Sequence, residues 1–189
     1  MATSDSRHAV ARELSQSSFA RVLHADGPDP SRADKLGLYS WLVGHWELEV
    51  TTLLDDGTTH RGHGEIHAGW VLQGRAIQDV WMIPRLRERQ PGIEPLPGAG
   101  NWYGTTLRIY DPGLDAWRIL WSDPATNFFT QQIGRARGAD IVQTGPDPRG
   151  GSMRWVFSEI QSDAFHWTGE RAPDDRTWRR EVDIRARRA

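Results

Sequence analysis

From Val43 onward, the sequence falls into short runs rich in Val, Ile, Thr, Trp, Tyr and Phe. Clusters of Gly, Pro, Asp and Asn separate them at intervals of roughly ten residues. The runs are HWELEVTTL, HRGHGEIHAGW, AIQDVWMI, WYGTTLRIYD, AWRILWSD, FFTQQIGR, DIVQT, MRWVFSEI, FHWTGE and TWRREVDIRA. Turn chemistry sits between them at Asp55-Asp56-Gly57, Asp111-Pro112-Gly113, Gly134 to Gly138, Gly145 to Gly151 and Pro173-Asp174-Asp175. No helix-sized segment interrupts the series and no internal repeat is visible, which argues against a parallel sheet and against a propeller. The pattern predicts a mainly β protein: an up-and-down antiparallel barrel of about ten strands over 43–189.

Residues 1–42 read differently. Over 4–24, the spacing of Val10, Leu14 and Val22 suits one side of a helix. Gly27, Pro28 and Pro30 then stop it, and Ser31 is placed to cap a second short helix reaching Trp41. This predicts an N-terminal helical segment packed on the barrel. Residues 85–101 are too long and too rich in Pro and Gly for a hairpin turn, so a lid over one barrel end is expected there.

Composition narrows the function. With 189 residues, one domain with a full core is expected. The formal net charge of -2 offers no phosphate-neutralising surface, so nucleic acid is excluded as a partner. No window approaches a membrane span, and the start lacks the basic-then-apolar order of a secretory signal, so no membrane partner and a cytoplasmic location are expected. Zero cysteines remove disulfides, thiolate metal sites and cysteine nucleophiles. Ten tryptophans is several times ordinary usage. Their spread argues against one compact cage and for one or two per strand of a sheet closing around something.

The segment LVGHWELEV after a short helix, Gly74-Arg75 opening a strand, the Tyr110-Asp111-Pro112 turn with Trp117 and Trp121-Ser122-Asp123 after it, and the closing DDRTWRREVDIRARR resemble uncharacterised bacterial calycin-like, that is lipocalin-like, proteins over residues 36–189. That resemblance implies a barrel holding a small, mostly apolar molecule. More distant barrels similar at this start are the fatty-acid-binding-like proteins and the haem-binding nitrobindins. The nitrobindins carry further glycines where this chain has Glu47 and Glu49, so the resemblance does not extend to haem.

Three of seven histidines fall within residues 60 to 67 of HRGHGEIHAG. On a strand, Arg61, His63, Glu65 and His67 share one face, and Gly62, Gly64, Ile66 and Ala68 share the other. Positions two apart lie about 7 Å from one another, so His63 and His67 are about twice that, and this strand alone cannot gather three ligands around one ion. Glu65 plus one histidine would need help from groups such as His45, Asp79 or His166. The reading adopted is no metal, with the glycine face turned to the cavity and the histidine row turned outward.

The same alternation offers two inward choices on each remaining strand. They are Gln78, Val80 and Met82 or Ile77, Asp79 and Trp81; and Phe129, Gln131 and Ile133 or Phe128, Thr130 and Gln132. Trp155 and Phe157 oppose Arg154 and Ser158, and Phe165 and Trp167 oppose His166 and Glu170. From these, His166, Arg154, Glu159, Gln78 and Gln131 are the candidate catalytic groups, because each can polarise or exchange a proton with a substrate. Trp81, Trp121, Trp155, Trp167, Phe129 and Asp79 are the candidate ligand contacts. No phosphate loop, nucleophile elbow or dinucleotide fingerprint is present. The expected function is binding of a small apolar or aromatic molecule. Two roles stay open: a cofactor-free cyclisation, isomerisation or hydration, and a non-catalytic carrier. No cofactor is expected, and a homodimer remains an open arrangement.

Overall fold

The computed structural model describes residues 18–89 and 101–189. All ten predicted runs are strands: β2 (Gly44–Leu53), β3 (Thr59–Val71), β4 (Ala76–Ile83), β5 (Trp102–Asp111), β6 (Ala116–Asp123), β7 (Phe128–Arg137), β8 (Asp140–Pro146), β9 (Ser152–Ser158), β10 (Ala164–Ala172) and β11 (Arg179–Arg188). A two-residue strand, β1 (His24–Ala25), adds to the end of β3 at Val71 and Trp70. Every pairing is antiparallel. The order runs β3-β2-β11-β10-β9-β8-β7-β6-β5-β4, and β4 pairs back onto β3, so the sheet closes and leaves none of these ten strands with a free edge.

Before β2 the helical expectation is met in reduced form. The helix α1 (Ser18–Leu23) buries none of its residues, and the earlier part of the predicted helix lies outside the described residues. Two 3-10 turns replace the second helix, Pro30–Arg32 and Leu36–Leu42. Asp29, not Ser31, is the cap: its Oδ1 accepts from the Ser31 N–H at 2.9 Å. The second turn buries Leu36, Tyr39 and Leu42 almost completely and plugs one end of the barrel. Trp46, the first inward tryptophan of β2, sits under this plug, donates to the Leu42 carbonyl at 2.8 Å and meets Trp41 and Phe165 edge-on. The expected lid falls mainly on residues 90–100, outside the described residues; of that segment, Leu86–Glu88 forms a 3-10 turn.

The far end stays open, and a charged network ties its rim. Asp147, in the β8–β9 turn, is fully shielded and takes Arg149 at 2.9 Å and Arg171 at 3.1 Å; Arg149 also reaches Glu181 at 2.8 Å. Burial pushes the Asp147 carboxyl up, but the Arg149 guanidinium and backbone N–H together with Arg171 hold it below the usual carboxylate range. Its stabilisation is therefore present above the unfolded value of about 4 and is lost as the pH falls through the lower folded value. Replacing Asp147 with Asn should cost about 1–2 kcal/mol near neutral pH, moderated because Arg149 is half exposed to solvent. Thermal melts should show the deficit shrinking toward pH 3; a deficit constant with pH would mean that the pairs contribute nothing.

Candidate functional site

The strand register decides which residues face the interior. Gly64, Ile66 and Trp70 of β3 are buried, with His63 and His67 exposed on the opposite face. On β4 the inward set is Ile77, Asp79, Trp81 and Ile83, on β7 it includes Gln132, and on β9 and β10 it is Met153, Trp155, Phe157, Phe165, Trp167 and Gly169. Gly64 has a steric role: a Cβ there would lie 2.6 Å from the Met82 carbonyl and 2.7 Å from Ile83.

Beyond the plug, the interior opens into a cavity of about 550 Å³. Its wall is dominated by Trp81, Trp102, Trp121, Trp155 and Trp167. These indoles touch in a continuous chain, with centroid separations of 6.4 Å from Trp81 to Trp102, 6.2 Å to Trp121, 6.0 Å to Trp155, 5.8 Å to Trp167 and 5.5 Å back to Trp81. The sequence spacing argued against such a gathering. Closure of the sheet produces it, because β4, β5, β6, β9 and β10 each contribute an inward tryptophan at similar depth.

Polar groups sit beneath and among these rings. Arg108 of β5 is 1% exposed, lines the cavity and forms a buried ion pair with Asp79, whose Oδ1 also accepts from the Thr106 N–H at 3.2 Å. Burial pushes the Asp79 carboxyl above its ordinary value, against the opposing pull of Arg108 and Thr106. The Arg108 guanidinium lies 5.3 Å from the Tyr39 ring centroid, so it separates plug from cavity. Five buried polar atoms on residues of the cavity wall have no hydrogen-bond partner: Trp81 Nε1, Arg108 Nε, Thr52 Oγ1, Asn101 Oδ1 and Asp123 Oδ2. Buried polar atoms are nearly always paired, because leaving one bare costs about 1–3 kcal/mol. The open rim carries Asp55, Arg149, Glu170 and Glu181.

Of the expected ligand contacts, Trp81, Trp121, Trp155 and Trp167 line this space. Asp79 lies behind Arg108. Phe129 is 53% exposed on the outer face, and its neighbour Phe128 takes the inward place. None of the five candidate catalytic residues lines the cavity. Gln78 points outward and donates to Thr105 Oγ1 at 3.0 Å. Gln131 is exposed on the outside of β7. Arg154 is engaged on the outer wall by Glu170 and stacks 4.2 Å over Trp178. Glu159 is exposed and pairs with Arg185 at 2.5 Å. His166 lies on the outer face of β10, where Nε2 meets Asp183 Oδ1 at 3.0 Å and Nδ1 lies 3.4 Å from Ser158 Oγ. This Ser-His-Asp row is a cross-strand polar ladder, and none of its three residues lines the cavity. Arg108, Thr106 and Asp123, which sequence reasoning missed, are among the polar groups that line the cavity.

No family model matches the sequence, and comparison with curated proteins finds no match. The crystal structure of Rv2717c from M. tuberculosis is similar to this one, with a TM-score of 0.56 at 12% sequence identity; the match covers 83% of this chain and 98% of that one. At that identity the likeness is one of fold. Among the described residues, no helix is long and apolar enough to cross a membrane.

Proposed function

We propose that the barrel binds a small aromatic or largely apolar molecule carrying one acidic or hydrogen-bond-accepting group, in the manner of a lipocalin-like carrier. The observation that carries this reading is the set of unpartnered polar atoms on an otherwise aromatic wall. Trp81 Nε1 and Arg108 Nε are donors without a protein partner on residues that line a space of drug-like size, and a ligand oxygen that reached them would complete them. The indole chain supplies flat apolar contact, and the rim leaves a route in. Carriage is favoured over conversion because all five groups expected to perform acid–base chemistry lie on the outer wall. Among the described residues no histidine lines the cavity, so the donor set does not fit haem held by an imidazole.

The test uses 1-anilinonaphthalene-8-sulfonate, an aromatic anion, against neutral anilinonaphthalene. The anion should bind one per chain, quench tryptophan emission and bind at least about tenfold more tightly than the neutral analogue. Trp155→Ala should weaken both probes by about three- to tenfold through lost ring contact. No quenching by either probe, or binding unaffected by Trp155→Ala, would sink the cavity reading. Mass spectrometry of molecules that co-purify, before and after incubation, reads whether a bound compound is converted.

A further inference from the structure

The outward row of β3 is completed by β2. In the strand register His45 stands opposite His67 and Glu47 opposite Glu65, so two imidazoles and a carboxylate meet across one strand pair. The rings of His45 and His67 stack with centroids 4.2 Å apart and planes 15° from parallel. Glu65 Oε2 lies 3.4 Å from His45 Nε2 and 3.6 Å from His67 Nε2, and the three atoms all fall within 4.8 Å of one another. A tetrahedral zinc ion with bonds of about 2.0–2.1 Å holds its ligand atoms roughly 3.3–3.4 Å apart. Two of the three donor separations are therefore near their bound length; because a metal lies in the plane of each imidazole that binds it, the stacked rings must also turn toward one another to share one ion, and half-exposed His67 has room to do so.

Two further features point the same way. His45 Nε2 is shielded from solvent and has no hydrogen-bond partner, despite its approach to the carboxylate. The other Glu65 oxygen, Oε1, accepts from the Leu86 N–H at 2.7 Å, which fixes the carboxylate and leaves Oε2 turned to the imidazoles. Arg85, next to the Leu86 whose N–H holds Glu65, is occupied by Glu47 at 2.5 Å and Glu88 at 3.2 Å. On the other side β4 presents Val80 and Met82 opposite His67 and Glu65, so no positive side chain competes from that strand. One strand could not gather three ligands, which is why sequence reasoning assigned no metal here; the barrel wall supplies the third from β2.

We propose that His45 Nε2, His67 Nε2 and Glu65 Oε2 bind one divalent transition-metal ion of the zinc class on the outer wall. Three protein ligands leave a fourth position, and His67 is half exposed, so water reaches it. Two imidazole nitrogens select zinc or cobalt over the oxygen-seeking calcium and magnesium. The site is separate from the cavity and does not depend on the ligand proposed for it.

The test uses the untagged full chain, stripped by chelator and titrated near neutral pH with Co²⁺ by visible d–d absorption and with Zn²⁺ by calorimetry. One ion per chain is expected, with Zn²⁺ displacing Co²⁺ and millimolar Mg²⁺ or Ca²⁺ displacing neither. Glu65→Gln and His67→Ala should each weaken binding at least about tenfold, because loss of a ligand costs no less than loss of an orienting partner. His63→Ala, on the same face of β3, should leave it unchanged. His67→Ala and His63→Ala truncate exposed side chains, so both variants should fold, and a melting curve on each checks this. Absence of stoichiometric binding, retention of full affinity in His67→Ala and Glu65→Gln, or an equal loss in His63→Ala would overturn the assignment.

Discussion

Arg108→Met should destabilise the protein by about 3–5 kcal/mol, because it leaves the fully buried Asp79 carboxylate without its counter-charge. The loss should depend on pH with a definite sign. Burial already pushes Asp79 upward in the intact pair, and without Arg108 nothing cationic opposes that push. An acid with a raised folded value is best tolerated below its unfolded value of about 3.9, and its penalty grows as the pH rises through the folded one. Urea denaturation of Arg108→Met should therefore show a larger deficit at pH 8 than at pH 5. Asp79→Asn/Arg108→Met should recover most of the loss, since a neutral pair needs no counter-ion and Asn can still accept from Thr106. The aromatic sulfonate should bind weakly to both variants, because the guanidinium is absent from the cavity in each. A double variant that regained binding with stability would mean that Arg108 serves the fold alone.

The position of Arg108 also shows where sequence reasoning reached its limit. Strand existence was legible because β-branched and aromatic runs alternate with turn residues, and each of the ten runs became a strand at nearly its expected bounds. Register was not, since the outer wall of a closed barrel alternates as regularly as the inner one. On β5 the usual signal is reversed: Thr106 and Arg108 are buried while Leu107 and Ile109 are only partly so. On β7, Gln132 is buried and Gln131 exposed, and Phe129 is exposed beside the inward Phe128. Identical residue types on adjacent positions carry no information about which faces in. What distinguishes them is the cross-strand partner, such as Asp79 opposite Thr106 and one diagonal step from Arg108. The same holds for His45, which meets His67 only once β2 and β3 are in register. The glycine face of β3 turns inward as expected, but not because it leaves room for a ligand: Gly64 packs against the Met82 carbonyl and Ile83, and neither Gly62 nor Gly64 is among the residues that line the cavity.

Gly134→Ala should cost about 2–4 kcal/mol, and most of that should vanish when Tyr39 is phenylalanine. Gly134 stands between Trp117 of β6 and Gln143 of β8 in register, and the plug tyrosine seats its hydroxyl over the missing side chain. There the ring meets Trp117 edge-on at 5.1 Å and the oxygen accepts from Gln143 Nε2 at 2.9 Å. A methyl group at 134 would collide with that hydroxyl and also approach Ile119 to 3.3 Å. Overpacking of this kind costs about 1–3 kcal/mol, and displacing the tyrosine strands the Gln143 amide at a further cost of about 1 kcal/mol. Burial pushes the Tyr39 hydroxyl up to about 12 although Arg108 opposes the shift, so the plug stays neutral and the effect should not vary between pH 6 and 9. Tyr39→Phe removes the colliding oxygen and has already given up the Gln143 bond. Adding Gly134→Ala to it should therefore cost about 1 kcal/mol or less, a coupling of about 1–3 kcal/mol in a double-mutant cycle read by urea denaturation. Additive costs in the two backgrounds would show that the glycine is not the socket of the plug, and that the barrel end is held by Leu36 and Leu42 instead.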